Sequence, residues 1–303
     1  MASVRLPRFT RVKQIVPPQL TVRDREMIRL VFEHRFLRST HIHTLIGGSR
    51  QQLLRRLQRL YHHGYLERPR AQIDYYHQGG SRSMVYGLGH NGAALLKREL
   101  NLPFHRLDWS AKNQAVKRLF LEHALLTADV MVAFELACRH HGGVRLISAD
   151  KLPLPAATRR KRDPFRWQVI AKHQLKLGAQ PDRVFALEFP DRDRAYFFLE
   201  ADRATMPVMR PNFEKSSFYR KLLAYEATWT QNIHRSRFGF NRFRVLTVTT
   251  SAERVKHLIE ASRQLERGQG LFLFTDLGSL SAHADILTLP WQTCQPGKTE
   301  TLT

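Results

Sequence analysis

The chain has 303 residues, of which 43% are hydrophobic, so it is long and apolar enough for two domains with their own cores and is not a disordered tail. Its 49 Lys and Arg residues against 26 Asp and Glu residues give a formal net charge of +23, which indicates a polyanionic partner, with nucleic acid ahead of an anionic membrane surface or an acidic protein. No apolar run approaches the roughly 18 residues of a membrane span, and the start of the chain lacks the apolar core of a signal peptide, so we expect a cytoplasmic protein without a membrane partner.

The N-terminal region is predicted to begin with a basic arm over residues 1–20, which ends just after a Pro-Pro pair. Thr21 is expected to cap a first helix, because acidic residues follow it in the first turn. A short second helix covers about residues 39–46. Ser49 caps a third helix, which Gly64 ends. The pattern predicts a compact three-helix unit.

The third predicted helix has an apolar stripe opposite a basic one. At about 100° per residue the apolar stripe consists of four leucines and a tyrosine, Leu53, Leu54, Leu57, Leu60 and Tyr61. No acid occurs from Ser49 to Leu66, whereas a solvated helix face normally mixes charges. Because Arg and Gln read base edges and Arg neutralises phosphates, we expect the opposite stripe to bind duplex DNA. The residues assigned to DNA binding, on this helix and on the hairpin after it, are Arg50, Gln52, Arg55, Arg56, Arg59 and Arg82.

A hairpin and a closing helix follow the basic helix. Residues 73–77 and 82–88 predict two strands around a Gln-Gly-Gly-Ser turn, and residues 91–100 predict a helix. Two helices, a basic helix and a hairpin are typical of a winged helix-turn-helix, which places its basic helix in the major groove of DNA. We therefore assign residues 21–101 to a winged helix-turn-helix domain.

A second domain is predicted over residues 111–290, after a stretch without periodicity, and residues 291–303 are predicted to form a tail. Its predicted elements are a long helix, three strands, a helix, a strand, a helix and a strand, at residues 111–141, 144–149, 183–189, 194–201, 213–232, 244–249, 252–267 and 271–276. A Thr-Arg-Arg-Lys-Arg run at residues 158–162 lies in a loop, where it is either solvated or a second contact with nucleic acid.

Acidic side chains mark the ends of the two strands of the hairpin in the second domain. Glu200 and Asp202 share one face of the second strand because side chains alternate, and Asp182 opens the first strand at the same level because the strands run antiparallel. Carboxylate oxygens and water are the ligands that Mg²⁺ and Mn²⁺ prefer, so the three acids predict a divalent metal site. The alternative is a solvated hairpin end whose acids pair with nearby arginines.

The order of these elements resembles the core of the PD-(D/E)XK nuclease superfamily, whose pattern is an acid that opens one strand and an acid-x-lysine that ends the next. Pro181-Asp182 and Glu200-Ala201-Asp202 match the acidic positions of that pattern. Asp202 stands where the superfamily has lysine. The resemblance implies an α/β (α+β) two-domain protein, with an N-terminal winged helix-turn-helix followed by a restriction-endonuclease-like αβββαβ domain.

The combination of a winged helix-turn-helix, a helix bearing His123, the two acidic motifs and Lys221 with Tyr225 is similar to the replication-relaxation family of plasmid and mobile-element proteins. We expect Lys221 to replace the lysine that the strand lacks, and His123 is more typical of a core histidine than of a general base. The catalytic residues that the resemblance implies are Asp182, Glu200, Asp202 and Lys221. The first three are the implied ligands of Mg²⁺ or Mn²⁺.

The resemblance implies a DNA-binding protein that acts in the replication or relaxation of a plasmid or mobile element. Its activity would be metal-dependent DNA nicking by an Mg²⁺-dependent endonuclease. The alternatives are a winged-helix transcriptional regulator and a scaffold that recruits other replication or mobilisation proteins, each with a catalytically inactive second domain. Double-stranded DNA is the expected partner in every case, and a homodimer is one expected state.

Overall fold

The computed structural model describes residues 6–12, 18–73, 83–100, 109–171, 174–211 and 215–303. The chain forms two compact units, residues 1–132 and 133–303. Each unit combines helices with β-sheet, so the mixed α/β class expected from the sequence is confirmed.

The first unit consists of short helices and a small antiparallel sheet. Its elements in chain order are α1 (Val22–His34), β1 (Phe36–Arg38), α2 (Ser39–Ile46), α3 (Arg50–His62), β2 (Leu66–Glu67), β3 (Val85–Leu88), α4 (His90–Leu100) and α5 (Trp109–Gln114). β3 lies between β1 and β2 and pairs antiparallel with both. Residues 74–82, which include the whole predicted Gln-Gly-Gly-Ser turn and Arg82, lie outside the described residues.

Local chemistry explains where α1 and α3 begin. Thr21 and Asp24 form a reciprocal capping box at the start of α1, and the Ser49 side chain accepts a hydrogen bond from the backbone N–H of Gln52 at the start of α3. Gly64, with φ +74°, follows α3, in a conformation that L side chains rarely adopt. The capped starts predicted for the first and third helices are therefore confirmed.

The single long helix predicted over residues 111–141 is wrong, because the chain forms α5 and then α6 (Arg118–His140). Neither glycine nor proline causes the interruption. Asn113 is fully buried and donates a hydrogen bond to the carbonyl of Leu88 at 2.8 Å, while Val116 packs against a cluster that contains Phe36. Tertiary contacts thus separate two segments whose sequence is continuous in helical periodicity.

The second unit is built on a larger mixed sheet. After α6 its elements are β4 (Arg145–Ser148), α7 (Ala156–Arg159), β5 (Trp167–Ile170), β6 (Lys176–Ala179), β7 (Arg183–Glu188), β8 (Ala195–Ala201), α8 (Phe218–Thr230), α9 (Ile233–Phe238), β9 (Arg244–Thr249), α10 (Ala252–Arg263), β10 (Phe272–Asp276), α11 (Leu277–Ala282), β11 (Trp291–Gln292) and β12 (Thr299–Glu300). Within the described residues the strand order is β12-β11-β10-β9-β8-β7-β4. The pairs β8–β9 and β9–β10 are parallel, and the other pairs are antiparallel.

Alternate residues of β8 fill two different cores. Phe198 points into an aromatic cluster under α8, where its ring lies 5.7 Å from that of Tyr225 and 5.4 Å from that of Trp167. Phe197 points to the opposite face and stacks on Phe185 at 5.3 Å. Because both faces of β8 are covered, the strand places Glu200 at a sheet end with almost no access to water.

Several elements of the second unit were not predicted. β5 and β6 form a separate two-stranded sheet, α9 follows α8, and residues 291–303, which were expected to be a tail, contribute β11 and β12 to the edge of the large sheet. The described residues contain no helix that is long and apolar enough to cross a membrane.

Candidate functional site

The outer face of α3 carries basic side chains that the fold leaves in solvent. Arg50, Arg55 and Arg59 are exposed, as is Gln52, and none of the three arginines has an acidic partner among the described residues. The opposite face of α3 is buried through Leu53, Leu57, Leu60 and Tyr61. Leu54 differs from the prediction, since its side chain is 37% exposed. Gln52, Arg55 and Arg59 lie within about 60° of one another around the helix and share one accessible face, whereas Arg50, the first residue of α3, is on the side of Leu57 and Tyr61.

Arg56 has a different environment from its neighbours on α3. Its Nε donates to Oδ1 of Asp24 at 2.9 Å, and its Nη2 donates to the other carboxylate oxygen and to the carbonyl of Gln19. Asp24 is completely buried. Burial alone would raise the pKa of Asp24, but the Arg56 guanidinium and the hydrogen bonds from Thr21 lower it overall. The Arg56 side chain therefore fastens α3 to α1, and its guanidinium is already occupied.

The predicted acidic pair at the end of the β7–β8 hairpin is brought together. Arg183 is opposite Leu199 in the antiparallel register, which places Asp182 beside the end of β8. The Asp182 backbone N–H donates to the Leu199 carbonyl at 2.9 Å, and Asp182 Oδ2 accepts from the Ala201 N–H at 2.8 Å. The side chain of Asp182 thereby joins the two strands next to Glu200.

Glu200 is held by two donors from α8. Lys221 Nζ donates to Glu200 Oε2 at 2.5 Å, and the Tyr225 hydroxyl donates to Oε1 at 2.5 Å. Lys221 and Tyr225 are four residues apart, so they lie one above the other on the same helix face. The expectation that Lys221 reaches the acidic positions matches this geometry, whereas Tyr225 as a direct partner of Glu200 was not predicted.

The charges in this cluster shift each other's protonation equilibria. Burial raises the pKa of Glu200, Asp182 raises it further, and the Lys221 ammonium opposes both effects. Burial alone would lower the pKa of Lys221, but the carboxylates of Glu200, Asp182 and Asp202 together raise it. The pKa of Tyr225 is raised well above its usual range by burial and by Glu200. Lys221 consequently stays charged and Tyr225 stays neutral at physiological pH.

Asp202 does not join Asp182 and Glu200 in the way that strand alternation predicts. Its Oδ2 accepts from Thr249 Oγ1 at 2.8 Å and from Arg254 Nε at 2.8 Å. No group of three His, Cys, Asp or Glu side chains within the described ranges is arranged to hold a metal ion. The predicted three-carboxylate ligand set is therefore not assembled, because the Arg254 guanidinium on α10 engages the third carboxylate. Asp182 and Glu200 remain adjacent, and both Glu200 oxygens are bonded, one to Lys221 and the other to Tyr225.

Two other features noted in the sequence, His123 and the basic run, have surroundings of their own. His123 is half-buried in α6, and its backbone carbonyl accepts from Thr127 Oγ1 at 3.1 Å. In the basic run, Thr158 is buried in α7 and bonded to the Arg237 carbonyl, while residues 159–162 are exposed. The role of Arg254 gave no signal in the sequence, because the residue follows Asp202 by 52 positions.

A model of the family described as replication-relaxation matches residues 28–242. The matched region is more than two thirds of the chain and contains α3, Asp182, Glu200 and Lys221. No curated protein and no solved structure matches the chain. The extent of the family match shows that the chain belongs to the replication-relaxation family.

Proposed function

We propose that the protein binds double-stranded DNA and acts in the replication or relaxation of a plasmid or mobile element. The observation that carries this proposal is the outer face of α3, where Arg55 and Arg59 extend into solvent without acidic partners among the described residues. A face of one sign is costly in isolation and is stabilised by a polyanion. Membership of the replication-relaxation family supports the biological setting.

The topology of the first unit supports a winged helix-turn-helix. The order α1-β1-α2-α3-β2-β3, with β3 between β1 and β2, is the arrangement in which the third helix enters the major groove and the β2–β3 connection forms the wing. In this proposal Gln52 lies where side chains read base edges, and Arg55 and Arg59 each neutralise a phosphate. Arg82 belongs to the proposed wing and lies outside the described residues.

The test is DNA binding by the full chain over a range of salt concentrations, measured by fluorescence anisotropy on a labelled duplex. If both arginines contact phosphates, Arg55→Ala with Arg59→Ala should weaken binding and reduce the slope of log K against log salt by about 1.8, at about 0.9 per phosphate. Lys97→Ala with Arg98→Ala removes two exposed charges from α4 and is the matched control. Wild-type affinity and slope in the α3 variant would exclude α3 as the recognition helix.

The second candidate function is metal-dependent DNA nicking by the second unit. The contact between Lys221 and Glu200, beside Asp182, favours it, because it places an ammonium group at a two-carboxylate strand end. The strand order β10-β9-β8-β7-β4 with α6 and α8 supports a PD-(D/E)XK-like core. Asp182 and Glu200 would hold Mg²⁺ or Mn²⁺, which binds one or two carboxylates with water and phosphate, and the cation would replace Lys221 as the partner of one Glu200 oxygen.

When bound, the metal would activate water and polarise the phosphate. Lys221 would stabilise the charge that develops on the phosphoryl oxygens. Lys221→Ala is expected to abolish nicking of supercoiled DNA and to leave duplex binding by α3 unchanged. Absence of nicking by the wild-type protein with either metal would favour the regulator or scaffold function, with a nuclease-like unit that is inactive.

Metal binding has its own readout in thermal unfolding. A cation at about 100 times its dissociation constant adds roughly 2.7 kcal/mol to the stability of the folded state. Asp182→Asn should remove this gain, whereas Asp191→Asn, at an exposed acid in the β7–β8 turn, should retain it. An unfolding temperature that is independent of Mg²⁺ and Mn²⁺ in the wild type would exclude the metal site.

The remaining partners are also part of the proposal. A plasmid DNA-binding protein of this kind acts in the cytoplasm, where it meets other replication or mobilisation proteins. A homodimer would match a palindromic DNA site, since the two-fold symmetry of such a site mirrors that of the protein. Sedimentation of the protein with and without duplex DNA tests the dimer.

A further inference from the structure

A groove lined by arginines lies in the second unit, at the end of the large sheet opposite to Glu200. It forms a cavity of about 870 Å³ between the β7–β8 turn, the loop before β9 and the C-terminal strand β12. Five arginine side chains contribute to its lining: Arg192, Arg194, Arg235, Arg242 and Arg244. The acidic residues of the same lining are Asp193 and Glu300, so the groove is positively charged.

The groove is separate from the cluster around Glu200. Ala195 begins β8 at the groove, and Glu200 lies near the other end of the same strand. Five residues of strand at about 3.3 Å each give a separation of roughly 17 Å. Arg244 opens β9 next to Phe197 in the parallel register, which places it on the groove side of the sheet. The α8 donors that hold Glu200 are not among the residues that line the groove.

The arginines of the groove differ in whether their guanidinium groups already have partners within the protein. Arg244 pairs with Glu300 at 2.8 Å, and Arg194 pairs with Glu188. Arg192 donates to the carbonyl of Leu302 at 2.7 Å. Arg235 and Arg242 are exposed and have no acidic partner among the described residues. These two guanidinium groups retain their full capacity to bind an anion.

A second cavity extends the groove past α9. It measures about 470 Å³, shares Arg235, Arg242 and Arg244 with the first cavity, and adds Trp229 and Gly270 at its far side. The three shared arginines therefore border both cavities, and the two cavities together are called the channel. A channel with cations along its length suits an extended polyanion better than a single small anion.

We propose that this channel binds the phosphodiester backbone of a nucleic acid strand, as a contact separate from α3. Arginine presents a planar fork that matches the oxygens of a phosphate, and two such forks are unoccupied. Half-buried aromatic side chains, Trp229 and Tyr196, flank the arginines, but each already stacks on a ring of the protein, His234 and Phe240 respectively, so the arginines carry the proposal. The chemistry recognised is the phosphodiester, which a single strand or a duplex supplies.

The experiment compares the full chain with Arg235→Ala/Arg242→Ala in fluorescence anisotropy, using a labelled single-stranded oligonucleotide and the same sequence as a duplex. The expected result is a loss of affinity on the order of tenfold near 0.1 M salt, with a salt slope lower by about 1.4 on single strands or about 1.8 on duplex. The oligonucleotide that shows the larger loss identifies the strand form that the channel takes. Unchanged affinity and slope on both would overturn the proposal.

Two matched variants make the outcome specific. Arg235→Lys/Arg242→Lys keeps both charges and should retain the salt slope of wild type. If this variant loses as much affinity and slope as the alanine variant, the charge of the phosphates is not what the channel binds, and the proposal is overturned. Lys151→Ala/Lys176→Ala removes two exposed charges of the same unit outside the channel. An equal loss in this variant would assign binding to diffuse charge and overturn the proposal. The α3 variants keep the channel arginines, and the channel variants keep the α3 arginines. Each pair of substitutions therefore tests one binding surface independently of the other.

Discussion

Two consecutive arginines of α3 are expected to have different roles, Arg56 in the stability of the fold and Arg55 in DNA binding. Arg56 is bonded to the buried carboxylate of Asp24, whereas Arg55 is exposed without an acidic partner in the described part of the chain. We expect Arg56→Ala to lower the free energy of unfolding by roughly 2–3 kcal/mol, somewhat less than for a fully buried pair, because the Arg56 side chain is 28% exposed. Arg55→Ala should stay within about 0.5 kcal/mol of wild type. Denaturant unfolding of both variants measures the difference.

The pH dependence gives this prediction a second check. The pKa of Asp24 is lowered in the folded protein from its ordinary value of 3.8, so its contribution to stability is present above pH 3.8 and is lost as the pH falls through the lower folded value. The difference between wild type and Arg56→Ala should therefore shrink below about pH 3.8. A difference that persists unchanged at acid pH would mean that packing, and not the ion pair, carries the contribution of Arg56.

Lys221 predicts a change at the alkaline end of the pH range. Its pKa is raised in the folded protein, so its contribution to stability is fully present below 10.5 and is lost as the pH rises through the folded value. Lys221→Met should be less stable than wild type at pH 8 and should lose less stability between pH 8 and 11. Tyr225→Phe is the companion variant, because the raised pKa of Tyr225 acts in the same direction. Parallel pH profiles for Lys221→Met and wild type would contradict the pairing with Glu200.

At the scale of elements, Arg254 links the end of β8 to α10. It donates to Asp202, and its Nη2 also donates to the carbonyl of Met206 at 2.6 Å, so it fixes the chain after β8. With side-chain exposures of 12% for Arg254 and 5% for Asp202, the pair is nearly buried. Arg254→Ala should destabilise the fold by about 3 kcal/mol. Lys256→Ala, at an exposed position of the same helix, is the control.

A double-mutant cycle tests whether the pair itself is responsible. Arg254→Met combined with Asp202→Asn removes the buried charge together with its partner, so the loss should be smaller than the sum of the two single losses. Additive losses would show that Arg254 acts through Met206 alone.

The hairpin β7–β8 was predictable because its sequence alternates clearly and its turn is rich in proline and aspartate. The same rule failed for Asp202, because β8 ends at Ala201 and a cation from α10 captures the next carboxylate. β5 was missed since its outward residue Ile170 is apolar and 50% exposed, which hides the alternation of the strand. Local pattern thus predicts elements with strong periodicity, whereas side-chain partners from distant elements need the folded structure.

The same distinction applies to the two candidate sites. The basic face of α3 follows from helical periodicity alone, and it could be read from the sequence apart from Arg56, whose partner lies 32 residues away. The arginines of the channel are spread from Arg192 to Arg244 with no shared motif. Only the parallel pairing of β8 with β9 brings the two segments to one end of the sheet.

For the whole molecule, a net charge of +23 implies that DNA binding depends strongly on salt. Two of the basic surfaces that contribute to this charge are the outer face of α3 and the channel. The α3 and channel arginines belong to different units, so we expect their effects to add. A variant that combines the α3 and channel alanine substitutions should lose a salt slope equal to the sum of the two separate losses. A combined loss no larger than one of them would indicate a single binding surface.

The two short strands near the C-terminus protect the rest of the sheet from self-association. β11 pairs with β10 and β12 pairs with β11, while Leu302 donates to the carbonyl of Leu287 at 2.9 Å. Without this cover the backbone of β10, a fully buried strand that begins with three apolar residues, would become an open edge able to pair with another chain. A shortened form that ends before Trp291 is therefore expected to aggregate, and a purification or fusion design for this protein should leave β11 and β12 intact.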